Sequence, residues 1–327
     1  MRIKVAEVLN PLNESTMRLA KQIGITHIVG GLPPEDRGPV WDALPLARLK
    51  SKVEDAGLKL EVLEGPPPMD KITLGLPGRD EQIQEFCQSV RNVGAVGIPI
   101  ICYNFMAGFN WLRTSTTTRT RGDAKVTSFD YDLVKNAQPT KAGVVPEEKI
   151  WENYEHFIRR VLPVCEEAKV KLALHPDDPP VSPLLGIGRV FRNVEAFDRA
   201  MQLGPSDYHG ITFCQGCFSE MSVDVPKTIH HFGKKLFFAH FRDVRGAATK
   251  FTETFHDDGK TDMFAAMKAY DDAGFDGPMR PDHVPEMEGD PTDRPGYTVT
   301  GRIFAIGYMK GIMDAVDSVK GRAKQAR

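Results

Sequence analysis

The sequence has no apolar run of membrane length, almost no net charge, few cysteines and no glycine-rich phosphate loop behind its first strand. Each absence removes a class of function. The longest uncharged stretch worth testing, Asn92 to Leu112, is interrupted by Gly94, Gly97, Pro99, Asn104, Gly108 and Asn110. It reads as a helix end, a buried strand and a loop, so no membrane partner is expected. The opening Met1-Arg2-Ile3-Lys4-Val5-Ala6-Glu7 has neither the apolar core nor the cleavage site of a signal peptide, and a cytoplasmic protein is expected. Lys and Arg number 42 against 44 Asp and Glu, a formal charge of −2. That balance supplies no basic field for a nucleic-acid partner. Five cysteines, at 87, 102, 165, 214 and 217, are odd in number and scattered through 327 residues. Free thiols are expected rather than a disulfide framework.

What is present is a repeated alternation of short β-rich runs with longer helical patterns. Strands are predicted at Ile3 to Leu9, His27 to Gly30, Leu58 to Leu63 and Ile98 to Tyr103. Four more follow at Lys171 to His175, Gly210 to Cys214, Leu236 to Phe241 and Pro278 to Asp282. A helical pattern follows each, the clearest being Pro146 to Ala168. There Pro146 suits the first turn, Glu147 and Glu148 favour the positive end of the macrodipole, and apolar residues recur at helical spacing. Eight strand-then-helix units predict a single closed (β/α)8 TIM barrel over residues 1–319 rather than an open doubly wound sheet. The first strand is not followed by Gly-x-Gly-x-x-Gly, which removes the dinucleotide-binding alternative. Two segments break the rhythm. A long polar loop after strand four, residues 114–145, is read either as a lid over the barrel mouth or as a surface insertion. A basic tail, residues 320–327, is expected to be frayed and solvated.

The chemistry lies in where metal-type residues fall. His175, Cys214, His240 and Asp282 sit at the C-terminal ends of the last four predicted strands, 39, 26 and 42 residues apart. A parallel barrel brings such ends to one rim, where barrel active sites are built. Two imidazoles, a thiolate and a carboxylate can then converge on one divalent cation of the borderline kind, Mn²⁺, Fe²⁺ or Zn²⁺. Cys214-Gln215-Gly216-Cys217 spells Cys-x-x-Cys, but its strand-end setting is not that of a redox helix, so Cys217 is expected to be a bystander. Arg113, Arg242 and Arg280 are candidates for holding a carboxylate. Asp177 and Asp178 are expected to anchor the loop after strand five and to orient His175.

Several stretches resemble the mannonate dehydratase family of metal-dependent barrel lyases. They include Cys102-Tyr103-Asn104-Phe105-Met106 with Trp111 and Arg113, and Leu174-His175-Pro176-Asp177-Asp178-Pro179-Pro180. Thr212-Phe213-Cys214, His240-Phe241-Arg242-Asp243-Val244, Arg280-Pro281-Asp282-His283 and Arg294-Pro295-Gly296-Tyr297 continue the match. The resemblance implies a barrel that binds Mn²⁺ or Fe²⁺ and dehydrates D-mannonate, a small sugar acid, to 2-keto-3-deoxy-D-gluconate. By motif it implies His175, Cys214, His240 and Asp282 as metal ligands, and His283 and Tyr297 as the acid and base, in an order left open. Asn104, Trp111, Arg113 and Arg280 are the expected substrate contacts. The chain departs from the family's pattern at Asn110 and Leu112 and at Gly30-Gly31-Leu32-Pro33. A metal-dependent sugar isomerase or epimerase, and a silent sugar-acid binding protein, are the rival readings. A homo-oligomer is left open as well.

Overall fold

The computed structural model describes residues 1–291 and 293–322. The chain begins with β1 (Lys4–Val8), α1 (Glu14–Gln22), β2 (His27–Gly30), α2 (Ala43–Asp55) and β3 (Lys59–Glu64). A short α3 (Asp70–Leu74) precedes α4 (Arg79–Val96), which feeds β4 (Ile100–Tyr103). Next come β5 (Ser115–Arg119), β6 (Lys125–Asp130), the long α5 (Glu147–Ala168) and β7 (Lys171–Leu174). Then follow α6 (Val194–Leu203), β8 (His209–Cys214), α7 (Gln215–Glu220), α8 (Val225–Phe232) and β9 (Leu236–His240). The chain closes with β10 (Val244–Ala247), β11 (Lys250–Glu253), α9 (Met263–Asp272), β12 (Pro278–Arg280) and α10 (Val299–Val319).

Eight parallel strands close into a barrel in the order β1-β12-β9-β8-β7-β4-β3-β2. Strands β4, β8 and β9 are buried at every position, as parallel strands covered by helices must be. An apolar cluster drawn from the strands, including Ala6, Val29, Val62, Cys102, Ala173 and Phe238, is separate from the larger one between strands and helices. The first fills the barrel; the second joins it to its helical coat. Short polar caps decide where the helices start. Asn13, Asn193, Asp224 and Asp262 each accept a backbone amide at the N-terminus of α1, α6, α8 and α9. Each cap thereby fixes how much chain lies between a strand end and its helix, and so shapes the rim. Among the described residues no helix is long and apolar enough to cross a membrane.

The polar excursion after β4 is an ordered structure rather than a bare loop. Strands β5 and β6 join β10 and β11 in a second, antiparallel sheet of order β10-β11-β6-β5. Phe251 on β11 lies opposite Phe129 on β6, their ring centroids 5.9 Å apart, and both pack with Val181, Leu184 and Val244. The β-branched threonines of Ser115–Arg119 favour an extended chain. β6 follows closely as their partner, but the β10–β11 hairpin that completes the sheet arrives more than a hundred residues later, so nothing local announces its pairing with β6. The basic tail also differs from expectation. Lys320 pairs with Asp271 and Asp272, and Arg322 reaches Asp271 at 2.7 Å and Asp317 at 3.1 Å. Residues 323–327 lie outside the described residues.

The Arg113 guanidinium stacks 4.8 Å above the Phe251 ring, which ties the second sheet to the rim. Truncating a buried Phe costs about 3–5 kcal/mol. Phe251→Ala is therefore expected to strip hydrogen-exchange protection from β5, β6, β10 and β11 while the barrel strands keep theirs. Uniform loss across both sheets would show that they unfold as one unit.

Candidate active site

The four strand-end residues converge as the barrel geometry requires. His175 follows β7, and its Nδ1 lies 2.7 Å from the carbonyl oxygen of Pro176. A carbonyl can only accept, so Nδ1 carries the proton and Nε2 presents a lone pair. Ligand atoms of Cys214, His240 and Asp282 all lie within 4.8 Å of one another, and so do those of His175, Cys214 and Cys217. The His175 and His240 rings are 5.1 Å apart. Both ring nitrogens of His240 are buried without a hydrogen-bond partner, although Glu64 Oε1 and Asp282 Oδ2 lie 3.2 and 3.5 Å away. Buried orphaned nitrogens beside a thiol and a carboxylate fit a cation that would take them all. Asp282 has a φ of 66°, a left-handed conformation that costs a non-glycine residue roughly 1 kcal/mol or more. Such strain at a buried carboxylate is a mark of function.

Electrostatics prepare the same residues. Burial would raise the Cys214 thiol, but Cys217, Arg242 and His175 outweigh it and hold the thiol well below its usual range. Burial likewise opposes Asp282, and His283, Arg280, His240 and Arg242 overcome it. His240 is pushed the other way. Burial and Arg280 lower it, yet the Asp282 and Glu64 carboxylates prevail and raise it to about 9.

The Arg242 guanidinium lies behind these ligands, fully buried. It donates to Asp282 at 2.9 Å, Glu220 at 2.9 Å, Asp178 at 3.0 Å and Glu253 at 3.1 Å, with Cys217 Sγ at 3.3 Å. Gly216 makes room for it: a Cβ there would stand 2.2 Å from Arg242 Nη1. Arg242 is thus committed to the protein, and so is Arg113. Arg113 is fully engaged with Asp178, Glu253, Thr127 and the Leu112 carbonyl, and does not line the cavity. Its expected contact with substrate is corrected to a supporting one, because its donors are already taken. Arg280 differs. Its Nη2 serves Glu64 at 2.6 Å and Asp282 at 2.9 Å, while buried Nε and Nη1 have no partner.

A cavity of about 400 Å³ opens over the ligands, lined by Asn104, Trp111, Arg280, His283 and Tyr297 together with His175, His240 and Asp282. His283 Nδ1 is 2.9 Å from Glu253 Oε1, and Nε2 is 3.0 Å from the Tyr297 hydroxyl. Burial would raise Glu253, but Arg242, His283 and Arg113 hold it at about 2. Burial and the Asp282 charge push the Tyr297 phenol well above its usual value. Trp111 packs on the imidazole with centroids 5.2 Å apart. Asn104 braces the loop, donating to Asn110 at 3.0 Å.

Sequence reasoning missed Glu64, Glu253 and the part played by Cys217. Glu64 ends β3, so the strand-end rule used for the later strands would have found it. Glu253 lies at the end of β11, in the second sheet, where no barrel rule reaches. Cys217 is no bystander, since its sulfur contacts both Arg242 and the ligand group. Asp177 does not orient the His175 ring; it binds Arg189 at 3.3 Å and the Phe191 amide at 2.8 Å. Asp178 instead joins Arg113 to Arg242. His256 is buried, with Nε2 3.0 Å from the Pro281 carbonyl.

With the Cys214 thiol held well below its usual range and His240 raised to about 9, cation binding should displace the proton of His240. Affinity for Mn²⁺ should therefore rise about tenfold per pH unit below 9 and level off above it. Calorimetry in buffers of different ionisation enthalpy reads the proton directly. A pH-independent affinity between 6 and 8 would contradict the assignment of His240.

A family model described as D-mannonate dehydratase (UxuA) matches residues 10–142 and 140–323. Mannonate dehydratase of Thermotoga petrophila is 36% identical over 345 residues, spanning 94% of this chain and 95% of the relative. Mannonate dehydratase 2 of Halalkalibacterium halodurans is 32% identical over 338 residues, spanning 94% and 97%. The crystal structure of mannonate dehydratase from Streptococcus suis serotype 2 superposes with a TM-score of 0.92 at 34% identity, covering 99% of this chain and 96% of that one. An L-ribulose 3-epimerase, at TM-score 0.65 and 13% identity, shares the fold alone. Full-length agreement in sequence, together with agreement in structure, means that the chain belongs to the D-mannonate dehydratase family of hydro-lyases.

Proposed function

We propose that this protein removes water from a sugar acid, with D-mannonate as substrate and 2-keto-3-deoxy-D-gluconate as product. The observation that carries the reading is the Tyr297–His283–Glu253 chain beside a metal-type ligand set in one cavity. His175, Cys214, His240 and Asp282 would hold the ion, and their mixed sulfur, nitrogen and oxygen donors favour Mn²⁺ or Fe²⁺ over Mg²⁺ or Ca²⁺. When bound, the ion would stabilise negative charge developing beside the substrate's carboxylate and 2-hydroxyl.

The protein's own groups divide the remaining work. Arg280, which lines the cavity and has Nε and Nη1 uncommitted to any carboxylate, is the donor that would meet the substrate carboxylate. Because His283 Nδ1–H is given to Glu253, Nε2 is the lone pair that takes the proton from C2. Tyr297, held in its protonated form, gives its proton to the departing 3-hydroxyl, which leaves as water. The resulting enol becomes the 2-keto acid. The proton on His283 Nε2 then returns to the Tyr297 oxygen across their 3.0 Å hydrogen bond, and both groups are reset. A cytoplasmic setting belongs to the same reading, since five free buried thiols, Cys214 among them, suit a reducing compartment.

Metal-loaded protein incubated with a panel of hexonates and aldoses separates this reading from its rivals. Formation of a 2-keto-3-deoxy acid supports it. Interconverted sugars would favour an isomerase or epimerase, and binding without turnover a silent receptor. His283→Asn should keep its metal and lose about 10²-fold or more in turnover. Tyr297→Phe should still exchange the C2 hydrogen with deuterated water while eliminating slowly. Wild-type turnover by the His283 variant would sink the assignment, and exchange in that variant alone would reverse the two roles.

A further inference from the structure

The cavity has two unlike walls. Cys214 ends β8, and in the closed order β8 stands diametrically across the barrel from β2. The reacting groups gather on the β7, β8, β9 and β12 side. The rest of the wall is formed by Val8, Leu9 and Asn10 after β1, by Gly30 and Gly31 at the end of β2, and by Arg37. Arg37 and Arg280 are the two guanidiniums among the cavity's lining residues. Every carboxylate on that lining is already engaged by an arginine: Glu64 by Arg280, Asp178 by Arg113 and Arg242, and Asp282 by Arg242 and Arg280. Arg37 has no ion pair at all among the described residues.

Arg37 is nevertheless held in place. Its Nε donates to the Leu32 carbonyl at 2.6 Å, which fixes the plane of the guanidinium and leaves both terminal nitrogens uncommitted. Its Nη2 passes over Gly31, where a Cβ would sit 3.7 Å away. Any longer side chain at Gly31 would meet the guanidinium, so this glycine leaves room for the arm against the wall. A backbone-pinned cation on the cavity lining, with both terminal nitrogens uncommitted, suits the oxygen-rich far end of an extended polyhydroxy acid.

We infer that Arg37 is a specificity-determining residue that grips the end of the sugar acid remote from the reacting carbons. The inference rests on the dehydratase reading for which end of the substrate faces the metal-type ligands. It makes affinity depend on chain length: a six-carbon acid spans from the ligand set to Arg37, and a four-carbon acid does not.

The test compares wild type, Arg37→Leu and Arg37→Lys, all metal-loaded, on four-, five- and six-carbon sugar acids. Arg37→Leu should lose about tenfold or more in kcat/KM on the six-carbon acid, carried by KM with kcat nearly unchanged. The four-carbon acid should be unaffected, and Arg37→Lys should recover part of the loss. Equal losses at every chain length would reveal a structural role and overturn the inference, as would no loss at all. Calorimetric titration with the same acids reads Arg37 separately from turnover. Weaker six-carbon binding in Arg37→Leu supports the inference even where dehydration fails, while identical binding overturns it.

Discussion

The active site depends on one buried guanidinium. Arg242 touches four carboxylates and a sulfur, and these belong to four different parts of the site. Asp282 comes from the metal-type set, Glu253 orients His283, Asp178 anchors the loop after β7, and Glu220 and Cys217 lie on α7. Removing one partner from such a buried network leaves charges without compensation, at a cost of about 3–5 kcal/mol. Arg242 is therefore a geometric reference point. The ligand side and the proton-transfer side cannot shift independently, because both hydrogen-bond to the same planar group.

That network explains why the second sheet belongs to a barrel enzyme. Glu253 is carried by β11, and Arg113, its other cationic partner, enters just before β5. The antiparallel sheet thus delivers one end of the Glu253–His283–Tyr297 chain, while the barrel delivers the other. Its apolar contact through Phe129 and Phe251 is what holds Arg113 and Glu253 at a fixed depth. A sheet that looks superfluous to the fold thus carries Glu253, the carboxylate that fixes which nitrogen of His283 bears the proton.

Much of this was legible in the sequence because the barrel converts a one-dimensional pattern into a ring. Strand ends at His175, Cys214, His240 and Asp282 fall on one rim wherever eight units alternate, so their convergence needed no long-range information. Glu64 obeys the same rule and was missed only because the rule was applied to the last four strands. Arg113 was misread for a different reason. An arginine between an aromatic residue and a polar loop looks the same whether its donors face substrate or Asp178 and Glu253, and that choice is made by residues 65 and 140 positions away. The antiparallel sheet was hidden likewise, since β6 and β11 pair across 120 residues.

The near-neutral composition also acquires a mechanical meaning. At the site Arg113, Arg242 and Arg280 face Glu64, Asp178, Glu220, Glu253 and Asp282, and burial raises the Glu220 carboxyl well above its usual range. With the Cys214 thiol held well below its usual range, acidic groups outnumber the three guanidiniums in the cluster. A divalent cation would offset that excess, and the Asp282 and Glu64 carboxylates beside it raise His240 to about 9. An anionic substrate approaching this cluster gains nothing from the chain's overall charge of −2. It must be held by local donors. Arg280 shares itself between Glu64 and Asp282 and still has two nitrogens free; Arg37, alone on the far wall, shares itself with no carboxylate. Attraction is thus placed at both ends of the cavity, where it orients an extended acid instead of merely collecting it.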